Sequence, residues 1–204
     1  MGGAPSREMQ RGVLVIDDHL PSRTLLVKAL SERGFSVVGE GTRGKSALGL
    51  AKDAAPDVIL MAVGLQDMDG ISAAQEIMEE DPLPIVLLTS HYETNTIERA
   101  KAAGVMAYLI KPLREEELLP TIELAISRFA EFISLRRENE DLKKTLEARK
   151  TIERAKGILM KSQGISEAEA FALIQKKSMD TRRPMVEIAQ AIILTEEITK
   201  EKSA

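Results

Sequence analysis

At 204 residues with a formal net charge of −4, the chain is long enough for two small domains, each able to bury a core. It has no cysteine, which excludes disulfides, thiol catalysis and cysteine-ligated metals, and no apolar run of about 18 residues, which excludes a spanning helix. The first residues, Met1-Gly2-Gly3-Ala4-Pro5-Ser6-Arg7, contain no apolar signal core, so a cytoplasmic protein without membrane association is expected.

The net charge hides an asymmetry. Residues 1–125 carry 12 Lys and Arg against 19 Asp and Glu, a balance of −7, whereas residues 126–204 carry 16 against 13, a balance of +3. Within 142–183 the count is 11 against 5. The acidic half is therefore unsuited to nucleic acid, and the basic segment is the candidate footprint.

In chain order, residues 1–11 read as a disordered lead. Val13-Leu-Val-Ile16 has the continuous apolar character of a buried parallel strand and ends in Asp17-Asp18. Pro21 to Arg33 follows as an amphipathic helix stopped by Gly34. Phe35 to Val38 is a second strand and Ser46 to Ala54 a second helix. Asp57–Met61, Pro84–Leu88 and Met106–Ile110 continue as strands, with helices near 71–80 and 95–103 between them. Five short apolar strands alternating with helices predict an α/β fold, a doubly wound, flavodoxin-like parallel sheet over residues 12–125. Functional groups then belong at the carboxyl ends of the strands.

Those strand ends present Asp17, Asp18, Ala62, Thr89 and Lys111, with Tyr108 three residues before the lysine. The arrangement resembles a response-regulator receiver domain. The resemblance implies that an acid pair on the first strand holds Mg²⁺, an aspartate ending the third strand accepts a phosphoryl group, and a hydroxyl and a lysine sense its charge. An aromatic residue then relays the change to the far face. Asp17, Asp18, Thr89, Lys111 and Tyr108 match that pattern. The third strand does not, because it ends in Met61-Ala62-Val63 and lacks the family's later proline. Alanine offers no nucleophile. A site with one carboxylate fewer also binds Mg²⁺ weakly at best, since hard cations are held by charged oxygen. Asp67 and Asp69 lie in the loop beyond the strand, where in-line transfer would need a different geometry. The expectation is a pseudo-receiver without phosphoacceptor or cofactor, serving as a dimerisation or docking platform for a sensor or other regulatory protein. Lys111 would in its simplest role form an ion pair with Asp17 or Asp18.

Gly39-Glu40-Gly41-Thr42-Arg43-Gly44-Lys45-Ser46 satisfies the phosphate-binding loop pattern in full. A nucleotide hydrolase also needs an aspartate at the end of a following strand to hold Mg²⁺, and the next strand ends in Met61-Ala62. We therefore expect no nucleotide at this loop.

From Glu115 to about Gln163 one long helix is predicted. Its single proline, Pro120, sits in the first turns, where proline is best tolerated. Within it the connector, 126–148, carries a short coiled-coil seam of Phe129, Phe132, Leu135, Asn139, Leu142 and Leu146, with a discontinuity at 132–135. Asn139 at an a-like position favours a two-stranded register, and a homodimer is expected. The same residues would otherwise pack on the chain's own domains.

The remaining segment, 149–204, reads as three helices. In Arg149-Lys-Thr-Ile-Glu-Arg-Ala-Lys-Gly-Ile-Leu-Met160, Ile152, Ala155 and Leu159 share one helical face, while Lys150, Arg154, Gly157 and Lys161 fall on the opposite one. A glycine inside a helix costs about 1 kcal/mol relative to alanine, which is more easily understood if a partner approaches the backbone there. Ser166 and Glu169 form a capping box, with Ile165 and Ala170 as a staple, and Phe171, Ile174 and the Ala170/Leu173 pair as the expected buried face. Pro184 opens a third helix whose Met185, Ile188, Ala189, Ile192 and Ile193 are apolar at helical spacing.

Three stretches, Glu153-Arg-Ala-Lys-Gly-Ile-Leu-Met160, Ser166-Glu-Ala-Glu-Ala-Phe171 and Met185-Val-Glu-Ile-Ala-Gln-Ala-Ile-Ile193, resemble the ANTAR domain, a small helical RNA-binding module of bacterial transcription antiterminators. The resemblance implies a dimeric regulator that grips stem-loops in nascent mRNA. Arg149, Lys150, Arg154, Lys156, Gly157 and Lys161 are the expected contacts, extended by Lys176, Lys177, Arg182 and Arg183. Aromatic platforms are almost absent, so binding should lean on phosphates and weaken steeply with salt. Two other readings are a duplex-DNA-binding response regulator and a purely protein-docking adaptor. Against the first, the third helix offers only Glu187 and Gln190 as polar readers, with no Arg or Lys for guanine edges.

Overall fold

The computed structural model describes residues 10–90 and 94–201. Most of the expected disordered lead, residues 1–9, lies outside them. The chain divides into two compact units at Ile133/Ser134.

In the first unit, strands β1 (Gly12–Ile16), β2 (Ser36–Gly41), β3 (Val58–Ala62), β4 (Ile85–Thr89) and β5 (Ala107–Ile110) form one parallel sheet in the order β2-β1-β3-β4-β5. Side-chain alternation along the three inner strands builds two cores, one on each face. Leu14, Ile16, Ile59, Met61, Ile85 and Leu87 point to one face, where helices α2 (Ala47–Ala54), α3 (Gly70–Glu80) and α4 (Thr94–Ala102) supply Ala51, Ile77 and Ala100. Val13, Val15, Val58, Leu60, Val86 and Leu88 point to the other. There they meet Leu26, Ala29 and Leu30 of α1 (Leu20–Glu32) and Leu118, Ile122 and Ala125 of α5 (Glu115–Gln163). Burial on both faces is why these strands read as unbroken apolar runs.

The structure corrects the edge of the sheet. β2 runs on to Gly41, with a register shift opposite Val13 and Leu14, so that Gly39 and Gly41 pair with Leu14 and Ile16. Two glycines of the phosphate-loop pattern are thus strand residues, and Gly44–Ser46 form a single 3₁₀ turn. α5 is one helix of 49 residues, with Pro120 in its first turns and Glu115, Glu116 and Glu117 at its N-terminus, where acidic charge suits the helix dipole. Phe129, expected in the seam, is half-buried against the first unit's core and serves the chain's own packing. The stretch 134–147, with Leu135, Asn139, Leu142 and Leu146, is exposed throughout, as is Phe132 before it.

The second unit comprises the rest of α5 with α6 (Glu167–Thr181) and α7 (Met185–Glu201) around Ala155, Leu159, Ala170, Ile174 and Ala189. Gly164, at φ +67°, ends α5 in the left-handed conformation that glycine adopts most readily. Ser166 then starts α6 with a complete capping box: its hydroxyl accepts from the Glu169 N–H, and its own N–H donates to Glu169 Oε2 at 2.9 Å. Phe171 departs from expectation. It is 42% exposed, because the inward stripe of α6 runs through Ala170 and Ile174, with Leu173 beside them.

A Cβ at Gly70 would collide with the main-chain carbonyl of Ala62, so the turn from β3 into α3 closes only with glycine there. Gly70→Ala is therefore expected to cost about 2 kcal/mol or more, as overpacking against rigid backbone does, read by urea unfolding. A change within a few tenths would show that the turn opens freely.

Candidate functional site

At the carboxyl edge of the sheet, β1 delivers Asp17, which is 1% exposed, and β5 leads into Lys111, whose Nζ lies 2.5 Å from Asp17 Oδ2. The other oxygen, Oδ1, accepts from the His19 N–H at 3.0 Å, and the Asp17 carbonyl accepts from the Arg23 guanidinium at 2.6 Å. Lys111 is thus the cation paired with the buried Asp17 side chain. Asp18 is half-exposed and faces outward with Thr42, Arg43 and Asp67. Ala62 ends β3 among buried apolar atoms. Thr89 and Tyr108 share the wall of a small cavity with Val63, Ile97 and Ala100, and Tyr108 is 40% exposed.

The two aspartates in the loop beyond β3 are engaged by backbone N–H groups. Asp67 accepts the Gly44 N–H at 2.8 Å. Desolvation pushes the Asp67 carboxyl up, but the N–H groups of Gly44, Lys45 and Asp67 itself, with Arg43 nearby, bring it below the ordinary 3.8. The turn that resembled a phosphate cradle therefore holds a carboxylate. Asp69 caps α3 by accepting the Ile71 N–H and pairs with Arg99 of α4. Among the described residues no three acidic or histidine side chains converge as a metal site would require. Two adjacent carboxylates, one already committed to Lys111, do not fit a tightly held Mg²⁺.

The second unit gathers the basic residues. Gly157 lies on a partly open part of α5, and a Cβ built there meets no atom within 4 Å, so packing within the chain does not require glycine. Arg149 and Lys161 on α5, Lys176 and Lys177 on α6 and Arg182 and Arg183 after it form no ion pair among the described residues. Lys150 pairs with Glu147 at 2.8 Å and Arg154 with Glu197 of α7 at 2.8 Å. Arg182 adopts φ +54°, an uncommon conformation for a side-chain-bearing residue, and so places two arginines at the turn between α6 and α7.

Lys156 does not belong to this exposed set. It is 6% exposed, and its ammonium lies 2.8 Å from Glu153 and 2.7 Å from Glu167 of α6. The stem is buried while the head reaches two surface carboxylates, which makes Lys156 a tie between α5 and the start of α6. Hydrogen bonds to Glu153 and then Glu167 raise the Lys156 amine above the ordinary 10.5. The Lys156 hydrogen bond holds Glu167 below 4.5, and the Ser166 hydroxyl does the same for Glu169. Sequence reasoning placed Lys156 at the RNA contact and missed Glu167 as its partner, which α6 brings round from eleven residues on.

Comparison with known proteins matches the response regulator receiver domain family to residues 13–123 and the ANTAR domain family to residues 140–193. The transcriptional regulatory protein PdtaR of Mycobacterium tuberculosis is 42% identical over 185 residues, 91% of this chain and 90% of that protein. The transcriptional regulatory protein YdfI of Bacillus subtilis is 36% identical over 56% of this chain and 54% of its own length. Among solved structures, the signal receiver domain of a modulated diguanylate cyclase from Desulfovibrio desulfuricans G20 superposes with a TM-score of 0.56 at 31% identity, covering 59% of this chain and 97% of that one.

Replacing Lys111 with methionine strands a buried charge on Asp17 and is expected to cost about 3 kcal/mol in urea unfolding, much of it recovered when Asp17→Asn is added. An additive double variant would show that the pair is not coupled. For the α5–α6 tie, the lowered carboxyl of Glu167 stabilises the fold fully above its ordinary value, and that contribution is lost as pH falls through the lowered one. The deficit in melting temperature of Glu167→Gln is therefore largest near neutral pH and fades below about pH 4. A deficit constant with pH would mean that the carboxylate charge is irrelevant. The Lys156 side of the pair fails only at high pH, above 10.5.

Proposed function

The chain belongs to the response regulators that carry a receiver domain followed by an ANTAR domain, and from that membership we propose that it is an RNA-binding regulator of transcription antitermination. Its partner is a stem-loop in nascent mRNA, which it holds so that a terminator hairpin does not form. The observation that carries this reading is the open Gly157 face of α5, bordered by Arg149, Lys150, Arg154 and Lys161 and extended by Lys176, Lys177, Arg182 and Arg183. Lys156 supports that face from behind and leaves the set of direct contacts. Cations of this kind position a phosphate backbone, and the missing methyl at Gly157 lets that backbone come close.

The receiver unit acts in this proposal without phosphorylation of its own, because Ala62 cannot accept a phosphoryl group and both nearby aspartates are engaged in holding loops. No cofactor is required, and Asp17 and Asp18 bind Mg²⁺ weakly at most. Regulation would come from a protein docked on the receiver unit, for which a cleft of about 240 Å³ lined in part by Leu25, Ala29, Pro112 and Leu118 offers apolar contacts. The exposed Leu135, Asn139, Leu142 and Leu146, spaced as a seam, support a homodimer as the working form.

The test is a salt-varied titration of the full-length protein against a tandem stem-loop RNA and a duplex DNA of equal charge, with and without acetyl phosphate and Mg²⁺. RNA should bind more tightly, with no response to the phosphodonor. Lys161→Ala should reduce the slope of log affinity against log salt by about one. Gly157→Ala is expected to stabilise the helix by about 1 kcal/mol. The same change should weaken RNA binding by about tenfold, or ~1.4 kcal/mol, because a methyl then occupies the approach. Equal affinity for RNA and DNA would overturn the reading.

A further inference from the structure

A cleft of about 240 Å³ lies in the first unit between α1, the segment that joins β5 to α5, and the start of α5. Leu26 and Ala29 of α1 and Leu118 of α5 line it with buried side chains, and Leu25, Pro112 and Leu113 complete the apolar lining. Its volume lies below the range of about 300–1,000 Å³ in which drug-sized ligands sit, so a fitting occupant is one short branched or aromatic group with a polar head.

The polar lining divides by how firmly each side chain is held. The Ser22 hydroxyl lies 2.7 Å from His19 Nδ1, and the Lys111 ammonium lies 2.5 Å from Asp17. Lys28, by contrast, is 3.8 Å from Glu32 with 72% of its side chain exposed, and Glu115 is 3.5 Å from Arg33 with 66% exposed. Exposed pairs at such distances contribute little, so a ligand exchanges them at little cost. The exchangeable charges are therefore one cation on α1 and one anion on α5. A ligand with a single charge satisfies one of them and is repelled by the other. A zwitterion satisfies both, and its apolar part suits Leu26, Ala29 and Leu118.

We propose that this cleft binds a free branched-chain or aromatic α-amino acid, its carboxylate on Lys28, its ammonium on Glu115 and its side chain on the apolar lining. The inference deepens the regulatory reading above and rests on it: a protein docking here finds the apolar contacts open or taken according to the amino-acid supply. Lys111 borders the same cleft, so the ligand sits beside the cation of the Asp17 pair.

The experiment is an NMR chemical-shift titration of the full-length protein with L-leucine and L-phenylalanine, and with the deaminated and the decarboxylated analogue of each. At least one amino acid should bind with a Kd of about 1 mM or below, its shifts centred on α1 and the start of α5, and each analogue about tenfold more weakly. Lys28→Met should weaken the amino acid by about tenfold and spare the decarboxylated analogue, whereas Glu115→Gln should weaken it equally and spare the deaminated one. Both side chains are exposed, so the variants keep the fold, which circular dichroism verifies. Failure of both amino acids to bind at about 10 mM, or binding that ignores both substitutions, overturns the assignment and leaves the docking reading standing. The expected binding together with a phosphoryl group added by acetyl phosphate keeps the cleft assignment and removes the reading of phosphate-free regulation.

Discussion

Asp17 is almost wholly buried at the end of β1, and Lys111 is the cation paired with it. The pair joins the end of β1 to the end of β5, strands that are not neighbours in the sheet, across the edge where β3 finishes in alanine. With no charged group at that third strand end, the lysine has one strong partner and one resting place. Around it the loop after β3 is fixed by its own two aspartates, one on the Gly44 turn and one at the start of α3. Internal charges thus tie this edge together, Lys111 on Asp17, Asp67 on the Gly44 turn and Asp69 at the start of α3.

Much of this was legible in the residues because the causes are local. Strand after strand ran apolar without alternation, which only a sheet covered on both faces permits, and the two cores divide along the strands residue by residue. The Ser166–Glu169 box marked a helix start that the structure reproduces to the hydrogen bond. What could not be read depends on where distant elements come to rest. Nothing near Lys156 announces that Glu167 will return beside it, and nothing in the glycine-rich stretch announces that Asp67 will accept the N–H that a phosphate might have taken. Phe171 and Phe129 make the same point in opposite directions. A side chain 100° off the inward stripe of a short helix is left outside, and one counted toward a seam finds a core nearer at hand.

The second unit departs from local backbone preference at two positions. Gly157 forgoes the helix preference of alanine in a place where alanine would fit. Arg182 holds a left-handed conformation that glycine would adopt more cheaply, and it sits where two arginines share a turn. Each gives up about a kilocalorie per mole of local preference, and each lies on the basic surface.

The pair between Arg154 and Glu197 bears on how that surface discriminates. The glutamate already occupies the guanidinium in the way a phosphate oxygen would, so a ligand does not find a vacant cation but must displace a tethered rival. A single weak anion gains little from the exchange, because it returns one contact for the one it breaks. A strand of regularly spaced phosphates would compete at several positions together and draw on Arg149 and Lys161 of the same helix as it does so. On the RNA-binding reading proposed above, the carboxylate would act as a threshold, setting the surface against stray small anions and in favour of a polyanion.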